Sequence, residues 1–135
     1  MEDNEIREQK ELYKIHLESV GFKIEQDPSD QQEIIAIRKN VGRYFRIYKK
    51  GIKMKAVWPI SDYAMNNRLE LLEFLNIANY KGLARYFVSD DGNFYIQMIL
   101  FSPYEATTFG NFIDLFNSEV AVVGKLPNAE KIFRF

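Results

Sequence analysis

The chain has 135 residues, 47% of them apolar, with a formal net charge of −1, one histidine and no cysteine. This apolar content predicts a folded chain, and its length predicts a single domain over residues 1–135, with residues 125–135 as a C-terminal tail. The lack of cysteine excludes a disulfide framework, a thiol nucleophile and any cysteine-ligated metal site. The acidic N-terminus has no signal-like apolar stretch and no apolar run reaches the length of a membrane span, so we expect a cytoplasmic protein without membrane contact.

The near-neutral total conceals a segregated charge. Residues 1–33 carry a net charge of −6, residues 34–58 a net charge of +8, and residues 59–135 a net charge of −3. A basic block of this kind could contact a polyanion, or it could face solvent or the acidic segments of its own chain. The sequence leaves these alternatives open, although charge runs are more often solvated faces.

The first third of the chain predicts one helix and two short strands. Apolar spacing predicts a helix over residues 4–20 that ends at Gly21. Strands follow at residues 22–25 and 32–39, separated by turn-forming residues 27–30. The helix is expected to bury one apolar stripe, which consists of Ile6, Tyr13, Leu17 and Val20.

The most distinct local pattern is a hairpin near residue 50. A two-residue turn at Lys50-Gly51, with a positive φ at Gly51, places Lys49 opposite Ile52 and puts apolar side chains on one face. The basic, tyrosine-containing set on the other face is the candidate nucleic-acid surface, because cations could follow phosphates while tyrosine rings stack on bases. This set, called the basic surface below, consists of Tyr44, Arg46, Tyr48, Lys53 and Lys55.

The second half of the chain predicts a helix, a hairpin and a final helix. Pro59 ends the preceding strand, and a helix follows over residues 62–80. Strands over residues 83–89 and 93–101 flank an Asp91-Gly92 turn, and a two-residue turn there sets Phe87 opposite Ile96 and Arg85 opposite Met98. The apolar stripe predicted for the helix consists of Met65, Leu69, Leu72, Phe74, Leu75, Ile77 and Ala78.

Ser102-Pro103-Tyr104-Glu105 has the pattern of a capping box with proline at the first helical position, and it predicts a third long helix. Pro127 ends that helix, and the tail beyond it is expected to dock through Ile132, Phe133 and Phe135. The predicted fold class is therefore α+β. It has an antiparallel sheet of about five to six strands with three helices, in the order helix, three or four strands, helix, two strands, helix.

The sequence provides few groups for catalysis. His16 is the only histidine, and no nucleophile or orienting carboxylate is predicted beside it. Residues 90–93 lack the alternating acids and final glutamate of a calcium loop, so turn formation accounts for them. There is no phosphate-binding loop, dinucleotide fingerprint or nucleophile elbow. We therefore expect no enzymatic activity, no cofactor and no metal.

Several segments have a pattern that is familiar from one family: Leu17–Phe22, Leu75–Tyr80, Ala84–Phe87, Asp90–Asn93 and the helix containing Phe109, Phe112 and Phe116. In these segments the chain resembles the YbjN family, within the type III secretion chaperone-like superfamily. The resemblance covers roughly residues 10–122 and implies a small, dimer-forming fold without enzymatic activity. Chaperones of this shape hold an extended client segment against apolar patches and a sheet edge, and YbjN-type proteins are regarded as regulators.

The predicted function is a non-catalytic module, chaperone-like or regulatory, that binds a partner protein or peptide and acts as a homodimer. One alternative is nucleic-acid or polyanion binding through residues 43–57, and another is a small-molecule site between sheet and helices. Strand addition at the sheet edge is a further binding mode. The predicted partner-binding residues are Arg85, Tyr86, Tyr95, Gln97 and Ile99.

Overall fold

A computed structural model describes residues 4–25 and 30–134. Within these residues the chain forms five helices and six strands. In chain order they are α1 (Asn4–Ser19), β1 (Lys23–Glu25), β2 (Glu33–Arg38), β3 (Val41–Tyr48), β4 (Gly51–Pro59), α2 (Asp62–Asn66), α3 (Arg68–Lys81), β5 (Arg85–Val88), β6 (Asn93–Leu100), α4 (Ala106–Gly124) and α5 (Ala129–Ile132).

The strands form one antiparallel six-stranded sheet in the order β1-β2-β3-β4-β6-β5. This confirms the predicted α+β class, with five helices in place of the three expected. Residue contacts group the chain into two compact units, one made of Met1–Ala56 and Ile99–Ile113, the other of Val57–Met98 and Asp114–Phe135. The single domain expected from the sequence stays a prediction.

The core of the first unit lies between α1 and one face of strands β2 to β4. Tyr13 and Leu17 of α1 are buried as predicted, whereas Val20 is 41% exposed. The Tyr13 ring meets the Phe109 ring edge to face at 4.7 Å, and Phe109 also meets Phe45 of β3. The buried side chains on this face of the strands are Ile34, Ala36, Phe45, Ile47, Ile52, Met54 and Ala56.

The β3–β4 hairpin keeps the predicted faces but not the predicted register. Tyr48 pairs with Gly51, so the two-residue turn is Lys49-Lys50 and the pairing is displaced by two residues. A shift of two leaves every side chain on its predicted face, because side chains alternate with a period of two. Gly51 does not have the predicted positive φ. A Cβ there would instead overlap the carbonyl oxygen of Leu100, so the glycine permits a close approach to β6.

The helix predicted over residues 62–80 is divided into α2 and α3. Asn67 lies between them in a non-helical conformation, and its side-chain amide donates to the carbonyl of Tyr63. Such side-chain bonds to the backbone compete with helical hydrogen bonding. Because the two helices are separate, one stripe cannot run along both. The predicted stripe is correct for Phe74 and Ala78, which are buried, and wrong for four exposed residues, Met65, Leu69, Leu72 and Ile77.

The loop of the β5–β6 hairpin has three residues, Asp90-Asp91-Gly92, one more than predicted. The backbone N–H of Ser89 donates to the carbonyl of Asn93 at 3.0 Å and closes the loop. Gly92 has a φ of +80°, the left-handed conformation typical of the last position in a three-residue hairpin loop. The Asp91 carboxylate accepts the backbone N–H of Asn93 at 3.1 Å, which holds the loop in this shape.

The extra loop residue changes the register of the hairpin by one. Tyr86 pairs with Ile96, and Phe87 pairs with Tyr95. The predicted pairs Phe87–Ile96 and Arg85–Met98 are therefore wrong. A shift of one residue exchanges the side chains that share a face, so Tyr86 joins the buried Ile96 while Phe87 turns outward with Tyr95.

Helix α4 begins at Ala106, three residues after the predicted start. The Glu105 carboxylate accepts the backbone N–H groups of Thr107 at 3.1 Å and Thr108 at 2.7 Å. The hydroxyl and backbone N–H of Thr108 are the main groups that hold the pKa of Glu105 below its usual value. Glu105 therefore caps the helix, and the predicted capping box headed by Ser102 is wrong: the Ser102 hydroxyl donates to the Pro103 carbonyl instead.

The segment after Pro127 folds back as predicted and forms α5. Ile132 and Phe133 are buried, and Phe133 forms an isolated antiparallel bridge with Ile60. Phe135 and the predicted turn residues 27–29 lie outside the described residues. No helix in the described ranges combines the length and apolarity needed to cross a membrane.

Candidate functional site

One face of the β5–β6 hairpin presents a short ladder of side chains, Arg85, Phe87, Tyr95 and Gln97, which we call the outer hairpin face. The rings of Phe87 and Tyr95 stack with centroids 4.9 Å apart and planes 6° from parallel. The Arg85 guanidinium lies 5.1 Å from the centroid of the Phe87 ring. The Tyr95 hydroxyl donates to the carboxylate of Asp91 at 3.2 Å. The face is therefore a preordered aromatic surface with a cation at one end.

The structure brings together most of the residues predicted to bind a partner. Arg85, Tyr95 and Gln97 lie on the outer hairpin face, and Ile99, two residues after Gln97, is 46% exposed. Tyr86 does not lie there, since only 4% of it is exposed. Sequence reasoning missed Phe87, which a three-residue loop at Asp90–Gly92 would have placed correctly.

Tyr86 belongs to a buried polar cluster instead. Burial is the main cause that raises the pKa of the Tyr86 hydroxyl above its usual value, and Glu119 is the second. Glu119 is itself buried and accepts the backbone N–H groups of Leu83 and Ala84, the latter at 2.7 Å. A Cβ on residue 82 would lie 2.6 Å from the Tyr86 hydroxyl, so the packing requires Gly82. Tyr86 therefore has a structural role here.

Helix α3 carries a second apolar side opposite its buried one. Four positions separated by three, four and four residues, Leu69, Leu72, Asn76 and Tyr80, lie on one side of the helix, and we call them the α3 stripe. Leu69 is 71% exposed, Leu72 44% and Tyr80 90%. Leu83, just past the end of the helix, is also exposed. Clusters of this kind on a surface commonly mark an interface.

The structure places the five residues of the basic surface on one face of β3 and β4, with Tyr44 opposite Lys55 and Arg46 opposite Lys53. Arg46 is paired with acidic side chains of its own chain. Its guanidinium lies 2.8 Å from Asp30 and 3.4 Å from Glu33. The Asp30 hydrogen bond is the main cause that raises the pKa of Arg46. The basic block is thus partly matched by the acidic segment before it.

The basic block also contains a buried residue. Arg43 lies on the inward-facing side of β3 with 9% exposure, and its guanidinium donates to the carbonyl of Gly42 at 3.0 Å. Burial is the largest cause that lowers the pKa of Arg43, and the charge of Arg38 adds to it. The positive charges of residues 34–58 therefore do not form one continuous exposed face.

No protein-family model matches the chain, and no curated protein matches it. Among solved structures, the crystal structure of YbjN from E. coli, described as "a putative transcription regulator", matches with a TM-score of 0.70 and 15% identity over 93% of this chain and 96% of that chain. An uncharacterized protein from Methanothermobacter thermautotrophicus matches with a TM-score of 0.65 and 11% identity over 85% of this chain and 93% of that one. The chain has the YbjN-like fold. At this identity the likeness concerns fold alone, and function has to be argued from sites.

In this YbjN-like fold the single histidine lies in a packed aromatic cluster. His16 Nδ1 and the Tyr104 hydroxyl are 2.9 Å apart, and the His16 ring meets the Phe109 ring at 5.0 Å. The Tyr104 backbone N–H donates to Gln9 at 2.6 Å. These contacts tie α1 to the segment before α4, which is a structural role. Over residues 4–25 and 30–134, no three histidine or acidic side chains come close enough to hold a metal ion.

The second unit of the YbjN-like fold contains a small cavity. Its volume is about 200 Å³, and it is lined by Trp58, Val120, Val123, Gly124 and Phe133. The lining is mostly apolar, and no charged side chain belongs to it. This differs from the polar-lined pocket that the alternative of a small-molecule site requires, because such sites orient their ligands with a few polar groups.

Proposed function

We propose that the chain is a non-catalytic binding module that acts as a homodimer and holds a segment of a partner protein. The observation that carries the proposal is the α3 stripe, where large apolar side chains remain exposed on a helix whose other side is already buried. The similar fold of YbjN, described as "a putative transcription regulator", supports a role in regulation rather than in chemistry.

The spacing of Leu72, Asn76 and Tyr80 in the α3 stripe suits a two-fold homodimer. Two copies of a chain related by a two-fold axis use the same patch, so residue i meets j while j meets i. Asn76 is the centre of the stripe, with Leu72 four residues before it and Tyr80 four residues after it. In an antiparallel pair of α3 helices, Leu72 of each copy would meet the partner's Tyr80. A polar residue such as Asn76 at the centre would fix the register.

The charges beside the stripe favour the same antiparallel arrangement. The first half of α3 has a net charge of −1, since Glu70 and Glu73 outnumber Arg68, whereas Lys81 gives the half after Asn76 a net charge of +1. An antiparallel pair brings the acidic half of one α3 next to the basic end of the other, twice in each dimer. A parallel pair would instead place Glu73 beside its own copy, which is unfavourable.

The outer hairpin face is the proposed surface for the partner segment. Stacked aromatic rings with a nearby arginine are typical of binding hot spots, because rigid rings bury a large area at a small entropic cost. The Phe87–Tyr95 stack is already formed. A partner segment with apolar side chains and an acidic group near Arg85 fits this surface.

The homodimer is tested by light scattering after size exclusion, at several protein concentrations. We expect a dimer for the unmodified chain and a monomer for Leu72→Glu. Leu12→Glu is the matched control, because Leu12 is a similarly exposed leucine, 41% against 44%, on a different helix. The homodimer would be refuted if the unmodified chain stays monomeric at high concentration, or if the two substitutions have equal effects.

The partner surface is tested by capture from lysate of the source cell with two double variants. Arg85→Glu with Tyr95→Ser should lose the captured protein, whereas Lys53→Glu with Tyr48→Ser, the same kinds of change on the basic surface, should retain it. The opposite pattern would move the site to β3–β4. The competing nucleic-acid function would be favoured by binding that weakens steeply with salt and is lost in Lys53→Glu with Lys55→Glu.

A further inference from the structure

The small cavity of the second unit has a buried apolar interior and an open end. Of its lining residues, Val123 and Phe133 are buried, whereas Trp58 and Val120 are half-buried. Gly124, the last residue of α4, also lines the cavity and is exposed. The cavity is therefore accessible from solvent at this end of α4.

Neither backbone conformation nor packing requires a glycine at position 124. Gly124 does not have a positive φ, and a Cβ atom on it would have no neighbouring atom within 4 Å. This differs from Gly82, where a Cβ would overlap the Tyr86 ring. Alanine is also the better helix former. What the lack of a side chain at Gly124 provides is room at the open end of the cavity.

The lining limits what the cavity can hold. Its side chains are two aromatic rings and two valines, and none of them carries a charge. A charged ligand would lose its hydration there without gaining an ionic partner, which is unfavourable. The Trp58 and Phe133 rings meet at 66° with centroids 6.5 Å apart, so they offer two differently oriented aromatic surfaces. An apolar cavity of about 150 Å³ is enough to bind benzene, and the volume here is about 200 Å³.

We propose that this cavity is a binding site for an uncharged, mainly hydrocarbon molecule with one aromatic ring and a short substituent. The ligand would be held by dispersion contacts, which are individually weak but add up over a buried ring. The site would select by size and by lack of charge, unlike the polar-lined site considered from the sequence. The inference does not rest on the proposed function, because no lining residue belongs to the α3 stripe or to the outer hairpin face.

The test titrates toluene into the full chain and follows the indole N–H signal of Trp58, the single tryptophan, by nitrogen-15 NMR. We expect a saturable shift of that signal. Benzoate is the matched probe, because it carries a carboxylate on the same ring in place of the methyl group, and it should bind at least tenfold more weakly. No saturable shift with toluene, or equal binding of the two probes, overturns the proposal.

A substitution at the open end locates the site. Gly124→Leu places a side chain in the cavity and should weaken toluene binding at least tenfold. Gly42→Leu is the matched control, because a Cβ there also has no atom within 4 Å and Gly42 belongs to the first unit, so binding should be unchanged. Equal toluene affinity of the two variants contradicts the site.

The melting temperature provides a second readout that does not depend on the tryptophan signal. A ligand that binds only the folded state raises this temperature. Toluene should therefore raise it for the unmodified chain and for Gly42→Leu, but not for Gly124→Leu. If Gly124→Leu does not fold, Val120→Phe replaces it, because it adds a ring at a half-buried lining residue. An equal rise in the folded variant and the unmodified chain overturns the proposal.

Discussion

A Cβ atom on Gly51 would overlap the carbonyl oxygen of Leu100. The Leu100 oxygen is a backbone atom and the added Cβ is attached directly to the backbone, so neither can rotate away. Gly51→Ala therefore forces β4 and β6 apart locally. We expect a loss of about 2–3 kcal/mol in the free energy of unfolding, measured by urea denaturation, as for other overpacked sites. Gly42→Ala is the control, because a Cβ there has no atom within 4 Å. Equal effects of the two substitutions would show that the strands yield at no cost.

Phe133 should be one of the main stabilising residues of the second unit. It is 6% exposed, and its ring packs against Phe74 at 5.6 Å and Phe94 at 4.9 Å. Phe133→Ala removes these contacts and leaves a cavity, which costs about 3–5 kcal/mol at comparable sites. Phe101, which is 86% exposed, is the matched control, and Phe101→Ala should change the free energy of unfolding by less than about 0.5 kcal/mol. A loss for Phe133→Ala as small as that for Phe101→Ala would mean that the C-terminal segment is not docked in solution.

Because of Tyr13, the free energy of unfolding should fall as the pH rises in the alkaline range. Burial, with a smaller effect of Tyr104, raises the pKa of Tyr13 from 10.0 to about 12. Because the folded state favours the neutral phenol, this stabilisation is complete below pH 10 and is lost as the pH rises from 10 to about 12. Absorbance at 295 nm should show late-ionising tyrosines, because the pKa of Tyr86 is raised as well, and the late phase should lose the contribution of one tyrosine in Tyr13→Phe. Tyr80→Phe, at a 90% exposed site, should leave the late phase unchanged.

The Arg46–Asp30 pair should make the free energy of unfolding depend on pH in the acidic range. Its hydrogen bond is the largest cause that lowers the pKa of Asp30 below the ordinary value. The pair therefore stabilises the fold above the unfolded-state pKa of about 3.9, and this contribution is lost as the pH falls through the lower folded-state pKa. Carbon-13 NMR titration should show the Asp30 pKa rising in Arg46→Gln and staying low in Lys53→Gln. An Asp30 pKa that does not move in Arg46→Gln would show that the pair is absent in solution.

Whether the sequence predicts the face of a strand on which a side chain lies depends on the error in the predicted register. An error of an even number of residues leaves the faces correct, whereas an odd error exchanges them. An error of two residues at Lys49–Gly51 left the predicted faces of β3–β4 correct. An error of one residue at Asp90–Gly92 placed Tyr86 on the surface in the prediction, although it is buried in the structure. Turn residues of this composition suit both loop lengths, so only packing of the strands decides between them.

Helix α3 shows a second limit of prediction from the sequence. Leucines occur on more than one side of α3, so periodicity cannot tell Leu71, which is buried, from Leu72, which is exposed. The role of Glu119 as an acceptor for the backbone N–H groups of Leu83 and Ala84 depends on the position of that backbone relative to the helix, which no local pattern encodes. The stripe and the outer hairpin face thus follow from composition, but their exact members required the fold.

The chain has a single tryptophan, and Trp58 lies on β4 with its ring 6.5 Å from that of Phe133. Phe133 follows α5, so the environment of this one indole depends on whether the C-terminal segment is in place. Tryptophan emission therefore gives an optical signal, free of overlap from any other indole, for the docking of that segment. Changes in emission at denaturant concentrations below the main unfolding transition would reveal the segment leaving before the rest of the fold.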